Sequence, residues 1–190
     1  MTFNLFRIFV LCSALVIPLL GNAENKTDTI QLKFETNLGD FIVELYPNKA
    51  PQTVNNFLSY VDDGFYDGTI FHRVIKKFMI QGGGMTTDFS EKKTKAPIPN
   101  ESDNGLKNTK GALSMARTQA VDSATAQFFI NTNDNAFLDH QYGKHGYAVF
   151  GKVIDGYDVI DGIESQPTGD RRGYQDVPMK EVIVIELDRL

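Results

Sequence analysis

Apolar and polar residues alternate along 29–36, where Ile30, Leu32 and Phe34 are separated by Gln31, Lys33 and Glu35, and again along 40–46, where Phe41, Val43 and Leu45 recur. A period of two predicts strands with one buried face, and Asn37-Leu38-Gly39 between them predicts a hairpin. The period then changes. Within 50–64, Val54, Phe57, Leu58 and Val61 fall at i, i+3, i+4 and i+7, Pro51 suits a first helical turn and Gly64 supplies a stop, so this segment is a helix. Short apolar runs bounded by Gly, Asn, Asp and Thr follow at 69–75, 78–81, 111–116, 127–131 and 147–154, and each predicts a strand. A shorter helix is predicted within 156–165, with Val159, Ile160 and Ile163 on one side, and 181–188 reads as a final strand. Residues 97–105 and 131–146 are long polar connections. Many short strands with two helices predict a mainly β fold: a closed eight-stranded antiparallel barrel, filled by side chains and capped by two α-helices.

The first residues stand apart from this pattern. Ile8–Leu20 is an almost unbroken apolar run of 13 residues, preceded by Arg7 and followed by Gly21-Asn22-Ala23. A membrane-spanning helix needs about 20 apolar residues, whereas a short run ending in a small-x-small triplet marks a secretory signal peptide. Residues 1–23 are therefore expected to be cleaved after Ala23, with 24–28 a loose polar lead and 29–190 a single domain that has no stable membrane insertion after cleavage. Because Arg7 and the terminal amine are the only positive charges before the apolar run, an uncleaved anchor is the alternative. Cys12 lacks the small residues that a lipobox places before it, since Phe9-Val10-Leu11 precede it.

Removal of 1–23 also removes the single cysteine and Arg7, leaving 18 Lys and Arg against 24 Asp and Glu. Export without thiols means that a buried core, not a disulfide framework, must hold the domain together. The acidic balance argues against nucleic acid as a partner.

Candidate chemistry is sparse. His72, His140 and His145 have no metal-ligand spacing, and no metal or cofactor is expected. No Gly-x-Ser-x-Gly elbow is present, and "QGGGM" at 81–85 lacks the Lys-Ser/Thr and following helix of a phosphate loop. Asp62-Asp63 and the acidic residues of 24–28 sit in a helix end and a tail, where solvation explains them. Taken singly, Arg73 would be a solvated charge, Gln127 a polar edge residue, His72 a structural histidine, and Phe78, Met79, Phe128 and Phe129 core. Alternation allows only one of Phe128 and Phe129 to face the barrel interior.

Taken in order, "FHRVI" at 71–75, "FMIQGG" at 78–83, "SMA" at 114–116 and "QFFI" at 127–130 resemble the cyclophilins, the barrel-fold peptidyl-prolyl isomerases, most closely their bacterial branch. The resemblance extends from Ile30 to Leu187. It implies that Arg73, Phe78 and Gln81 are catalytic and that Met79, Ala116, Arg117, Gln127, Phe129, Phe137, Leu138 and Tyr147 bind substrate. Three positions depart from the form best known in animals: Phe137 stands for tryptophan, Tyr147 for histidine, and Arg117-Thr118 for asparagine and alanine. Phenylalanine lacks the indole N–H donor, so weak cyclosporin binding is expected.

The expected activity is peptidyl-prolyl cis-trans isomerisation, without cofactor or covalent intermediate. Its substrates would be unfolded or exposed Xaa-Pro segments of other exported proteins, its location the periplasm, and its state a monomer. The leading rival is a non-catalytic proline-peptide binding or chaperone module using the same groove. A more distant one is a surface interaction protein on the same scaffold. Burial of a proline ring suffices for binding, whereas catalysis needs a donor, so Arg73 and Gln81 favour the enzyme.

Overall fold

The structure is a computed structural model that describes residues 29–190. The signal peptide and polar lead expected at 1–28 lie outside the described residues. The elements run β1 (Ile30–Thr36), β2 (Gly39–Leu45), α1 (Pro51–Asp62), β3 (Arg73–Ile75), β4 (Met79–Gly82), β5 (Ala112–Met115), β6 (Phe128–Asn131), a 3₁₀ turn (Ala136–Leu138), β7 (Val149–Asp155), α2 (Tyr157–Glu164), β8 (Thr168–Arg171), β9 (Tyr174–Pro178) and β10 (Val184–Arg189).

Eight strands form one curled antiparallel sheet in the order β10-β1-β2-β7-β5-β6-β4-β3, and β8 and β9 form a separate hairpin. The sheet is a half-barrel with two ends. Its ends approach where the segment before β3 meets the start of β10: the Gly68 N–H donates to the Val184 carbonyl at 2.8 Å, Val184 N–H to Thr69 at 2.8 Å and Phe71 N–H to Val182 at 2.9 Å. Among the described residues, the two ends meet through these bonds and the Ile70–Ile183 bridge without a continuous β3–β10 ladder, so the expected mainly β fold is seen as a curled antiparallel half-barrel. The expected strand at 69–75 narrows accordingly to three residues, because Thr69 and Ile70 make only isolated bridges, to Thr86 and Ile183.

The alternation in β1 and β2 places Leu32, Phe34, Phe41, Val43 and Leu45 in the core, each at most 1% exposed. Phe34 and Phe41 occupy paired register positions and stack with ring centroids 4.5 Å apart. Helix α1 packs Val54, Phe57, Leu58 and Val61 onto the sheet, as their spacing predicts. Its N-terminus carries no side-chain cap from its own flank. Instead, the Glu101 carboxylate accepts from Gln52 N–H (3.1 Å), Thr53 N–H (2.8 Å) and the Thr53 hydroxyl (2.7 Å). A distant loop thus satisfies two orphan amides and places negative charge at the positive end of the helix. Helix α2 buries Ile160 and Ile163 and begins after Gly156, which has φ 77° and lies so near Phe41 that a Cβ would meet its Cα at 2.6 Å.

Phe128 is the hub of the interior. Its ring lies 5.5 Å from Phe34 and from Phe57, 5.7 Å from Tyr66 and 5.9 Å from Phe71. Gly83 makes room for it: a Cβ there would stand 2.7 Å from the Phe128 ring, on a backbone with φ 81°.

A second, smaller apolar cluster of Ile70, Met85, Phe89 and Val177, with Tyr174 and Ile183 against it, ties the β8–β9 hairpin to the sheet. The polar stretch 168–178 gave no alternation and no strand was expected there. Its turn residues Arg172 (φ 51°) and Gly173 (φ 87°) are both left-handed, the conformation of the two-residue turn that suits a twisted hairpin. Among the described residues, no helix is long and apolar enough to cross a membrane.

Candidate active site

Strand register builds the site. Arg73 on β3 pairs with Gln81 on β4, and Gln81 pairs with Phe129 on β6. Residues paired across a sheet share a face, so these three side chains form one row on the outer face. The next row, Val74, Ile80, Ile130 and Leu113, is paired in the same way and lies wholly in the core. Phe128 and Phe129 split between the two faces, as alternation requires: Phe128 enters the core cluster and Phe129 lines the outer pocket.

The pocket on the outer face has a volume of about 230 Å³. Arg73, Phe78, Met79, Gln81, Ala116, Arg117, Phe129, Leu138 and Tyr147 line it, which are nine of the eleven residues expected from the sequence. Gln127 borders an adjoining recess of about 150 Å³, together with Gln81, Ala116, Arg117 and Thr125. Phe137 stands on the rim, 58% exposed, and stacks on Phe78 with centroids 5.6 Å apart. Met79 and Phe129, 2% and 4% exposed, give the pocket an apolar base, and Phe129 meets the Tyr147 ring edge-on at 5.5 Å.

The polar groups are linked through amides. Arg73 Nη1 approaches Gln81 Oε1 at 3.5 Å, and Gln81 Nε2 donates to Gln127 Oε1 at 3.0 Å. The third glycine of "QGGG" leaves space for this link, since a Cβ on Gly84 would stand 2.6 Å from Gln127 Cγ and 2.7 Å from Nε2. Arg117 is held differently. Its guanidinium lies 4.7 Å from the centre of the Tyr147 ring and donates to the carbonyls of Thr118 (2.9 Å), His145 (3.0 Å) and Gly146 (3.2 Å). Those contacts make it a clamp on the loop beside the pocket, and its charge is largely committed there.

Behind the pocket lies a buried polar network that the sequence reading did not single out. Asn135 Nδ2 donates to the Phe78 carbonyl at 2.8 Å and to Asn131 Oδ1 at 2.7 Å, Asn131 Nδ2 reaches the Ala112 carbonyl at 3.1 Å, and Asp139 Oδ1 accepts from Asn108 N–H at 2.8 Å. These bonds hold the 131–147 connection, with Leu138 and Phe137 on it, against β4 and β6. The run "NTNDN" at 131–135 was the available signal, but a polar run reads equally well as solvated loop.

His72 is buried beneath the neighbouring β3 edge, and its Nδ1 has no hydrogen-bond partner. Burial is the main cause that lowers its pKa to about 4; the Arg73 charge adds to the lowering and the Ile70 backbone opposes it. A base with that affinity for protons is neutral at pH 7, in keeping with a structural role. Among the described residues, no group of three or more His, Cys, Asp or Glu side chains converges as metal ligands.

The outer face therefore combines the Arg73 guanidinium, the linked amides of Gln81 and Gln127, and an apolar base of Met79 and Phe129. The family model for cyclophilin type peptidyl-prolyl cis-trans isomerases matches residues 31–188. The chain belongs to this family. A peptidyl-prolyl cis-trans isomerase of Acinetobacter baylyi is 56% identical over 156 residues, covering 82% of this chain and 83% of that one. Peptidyl-prolyl cis-trans isomerase B of Escherichia coli is 54% identical over 154 residues, covering 80% and 94%. Among solved structures, a cyclophilin type isomerase of Cryptosporidium parvum superposes with a TM-score of 0.71 at 29% identity, covering 85% of this chain and 98% of that one. A second structure of the same parasite protein, in the presence of the dipeptide Ala-Pro, gives a TM-score of 0.70. Family membership and this level of identity make the chain a peptidyl-prolyl cis-trans isomerase.

The His72 environment predicts a pH effect on stability in this cyclophilin. The folded pKa lies below the unfolded value, so the unfolded chain binds the extra proton between pH 6.5 and pH 4. The stabilising contribution is complete above pH 6.5 and fades as the pH falls towards 4. Between pH 7 and pH 5 the loss is about 2 kcal/mol. Denaturant unfolding of the parent and of His72→Asn at both pH values checks it: the variant should lose less, and equal slopes would remove His72 as the cause.

Proposed function

We propose that Arg73 drives the isomerisation by donating to the prolyl nitrogen as the Xaa-Pro bond twists, while the apolar pocket holds the proline ring. Rotation opposes amide resonance, with a barrier of roughly 18–20 kcal/mol. Twisting removes conjugation and returns a lone pair to nitrogen. A donor placed there binds the twisted state better than either planar isomer, which is differential transition-state stabilisation.

The observation that carries this reading is the position of the Arg73 guanidinium at the edge of a pocket with Met79, Phe129 and Leu138 in its walls. Guanidinium stays charged and offers several rigidly arranged donors. Exclusion of water by a bound proline strengthens its field. Gln81 has the placement to orient Arg73 and to donate to a substrate carbonyl, and Gln127 extends the polar edge for the chain on one side of the proline. Uncatalysed isomerisation takes about 10–100 s at 25 °C, so a few kcal/mol of selective stabilisation suffices, at about 1.4 kcal/mol per tenfold.

The apolar run at 8–20 and the triplet before Glu24 support export, with unfolded or exposed Xaa-Pro segments of other exported proteins as substrates and the periplasm as location.

Cis-to-trans relaxation of a short Xaa-Pro peptide tests the chemistry. Arg73→Ala should fold normally and lose about 100-fold or more in kcat/KM, the scale for removing a preorganised donor. Retained activity in a folded variant would remove the arginine from the mechanism, and binding without acceleration by the parent would favour the binding module. Export is tested by N-terminal sequencing of protein recovered from a Gram-negative host: a periplasmic chain starting at Glu24 is expected, and an intact Met1 in the cytoplasm would refute it. Phe137 generates a third outcome. Calorimetric titration should find weak cyclosporin binding by the parent and stronger binding by Phe137→Trp, which supplies an indole N–H at the rim; tight binding by the parent would contradict it.

A further inference from the structure

The β8–β9 hairpin carries an irregularity aimed at the active site. Across it Gly169 pairs with Val177 and Arg171 with Tyr174, so Asp170 alone faces both Gln175 and Asp176. This is a bulge of one extra residue on β9, and Asp176 within it is left-handed, with φ 58°. Non-glycine residues adopt that conformation at a cost in free energy, least for Asn and Asp. Strained, bulged positions persist where the surroundings impose them, and they re-aim side chains beside functional sites. Here the carboxylate lies opposite the guanidinium, with Asp176 Oδ2 3.8 Å from Arg73 Nε.

The hairpin is well placed to hold that carboxylate still. Val177 and Tyr174 pack in the second apolar cluster, Arg171 pairs with Glu181 at 2.9 Å, and the guanidinium of Arg172 donates to the Asp88 carbonyl. Together with His72 and Arg73, residues 173–176 line a cleft of about 390 Å³ on the side of Arg73 away from Gln81 and Gln127.

We propose that Asp176 is a positioning residue for the isomerisation: it steadies Arg73 from behind by engaging Nε while Gln81 engages Nη1. Nη2 has no partner among the described residues and remains free for substrate. The proposal rests on the reading of Arg73 given above. Both groups are near two-fifths exposed, so the restraint is modest in energy, yet a long arginine side chain has many rotamers to lose before it can donate in one direction. A transition state formed by one donor is sensitive to such placement.

Asp176→Asn tests this cleanly, because asparagine accepts the left-handed backbone and keeps the shape while removing the charge. Asp176→Gly, which also accepts that backbone, removes the whole side chain. Both variants should lose about fivefold in kcat with little change in KM or in the thermal midpoint. In parallel, the Nε–Hε signal of Arg73, followed by ¹⁵N relaxation of the peptide-free protein, should report greater mobility in both. Unchanged kcat, a loss that appears only as a raised KM, or an Arg73 Nε–Hε signal as rigid as in the parent would overturn the positioning role. The relaxation measurement needs no turnover, so it judges Asp176 even if Arg73→Ala keeps its activity and the arginine mechanism fails.

Discussion

Successive residues of a β-strand point to opposite faces, and the site depends on three short strands keeping that alternation in register. With β3, β4 and β6 paired as they are, Val74, Ile80 and Ile130 must enter the core if Arg73, Gln81 and Phe129 are to share the outer face. A slip of one residue would bury the arginine and expose the isoleucines. The core therefore enforces the placement of Arg73, Gln81 and Phe129 on the pocket face. Phe128 locks the same register from within, since it can occupy the aromatic hub only while Phe129 faces the pocket.

Around that row the remaining parts act as supports of graded precision. Gly83 and Gly84 let the Phe128 ring and the Gln127 amide approach the backbone. The buried asparagines and Asp139 hold the irregular 131–147 connection, which must stay in place without ladder bonds. The Asn108, Asn131, Asn135 and Asp139 side chains are bonded to one another or to backbone groups, and these bonds fix the arrangement of Leu138 and Phe137. Arg117, expected to bind substrate, lines the pocket while its guanidinium donates to three carbonyls and lies against the Tyr147 ring, which ties the 145–147 backbone to the pocket edge.

Local patterning made much of this legible. The β1–β2 hairpin, α1 and α2 carry their periods openly, and the ordered motifs around Arg73, Gln81 and Phe129 identify the pocket residues. Features that arise from distant pairings escaped. Glu101 caps α1 from 48 residues away, the approach of the two ends of the sheet rests on a few bonds near Val184, and the β8–β9 hairpin is too polar to show an apolar face. Asp176 was invisible for the same reason: its importance comes from a backbone conformation and from a neighbour, Arg73, that is remote in sequence.

The central claim is that Arg73 stabilises the twisted imide more than it stabilises bound substrate. The most direct measurement is NMR of a proline peptide on the parent and on folded Arg73→Ala, reading both the dissociation constant and the rate of cis-trans interconversion in the complex. Differential stabilisation requires the bound-state rate to fall by about 100-fold or more while affinity changes little. A parallel weakening of affinity with an unchanged rate in the complex would mean that Arg73 only holds the peptide, and the barrier would have to be lowered by something else.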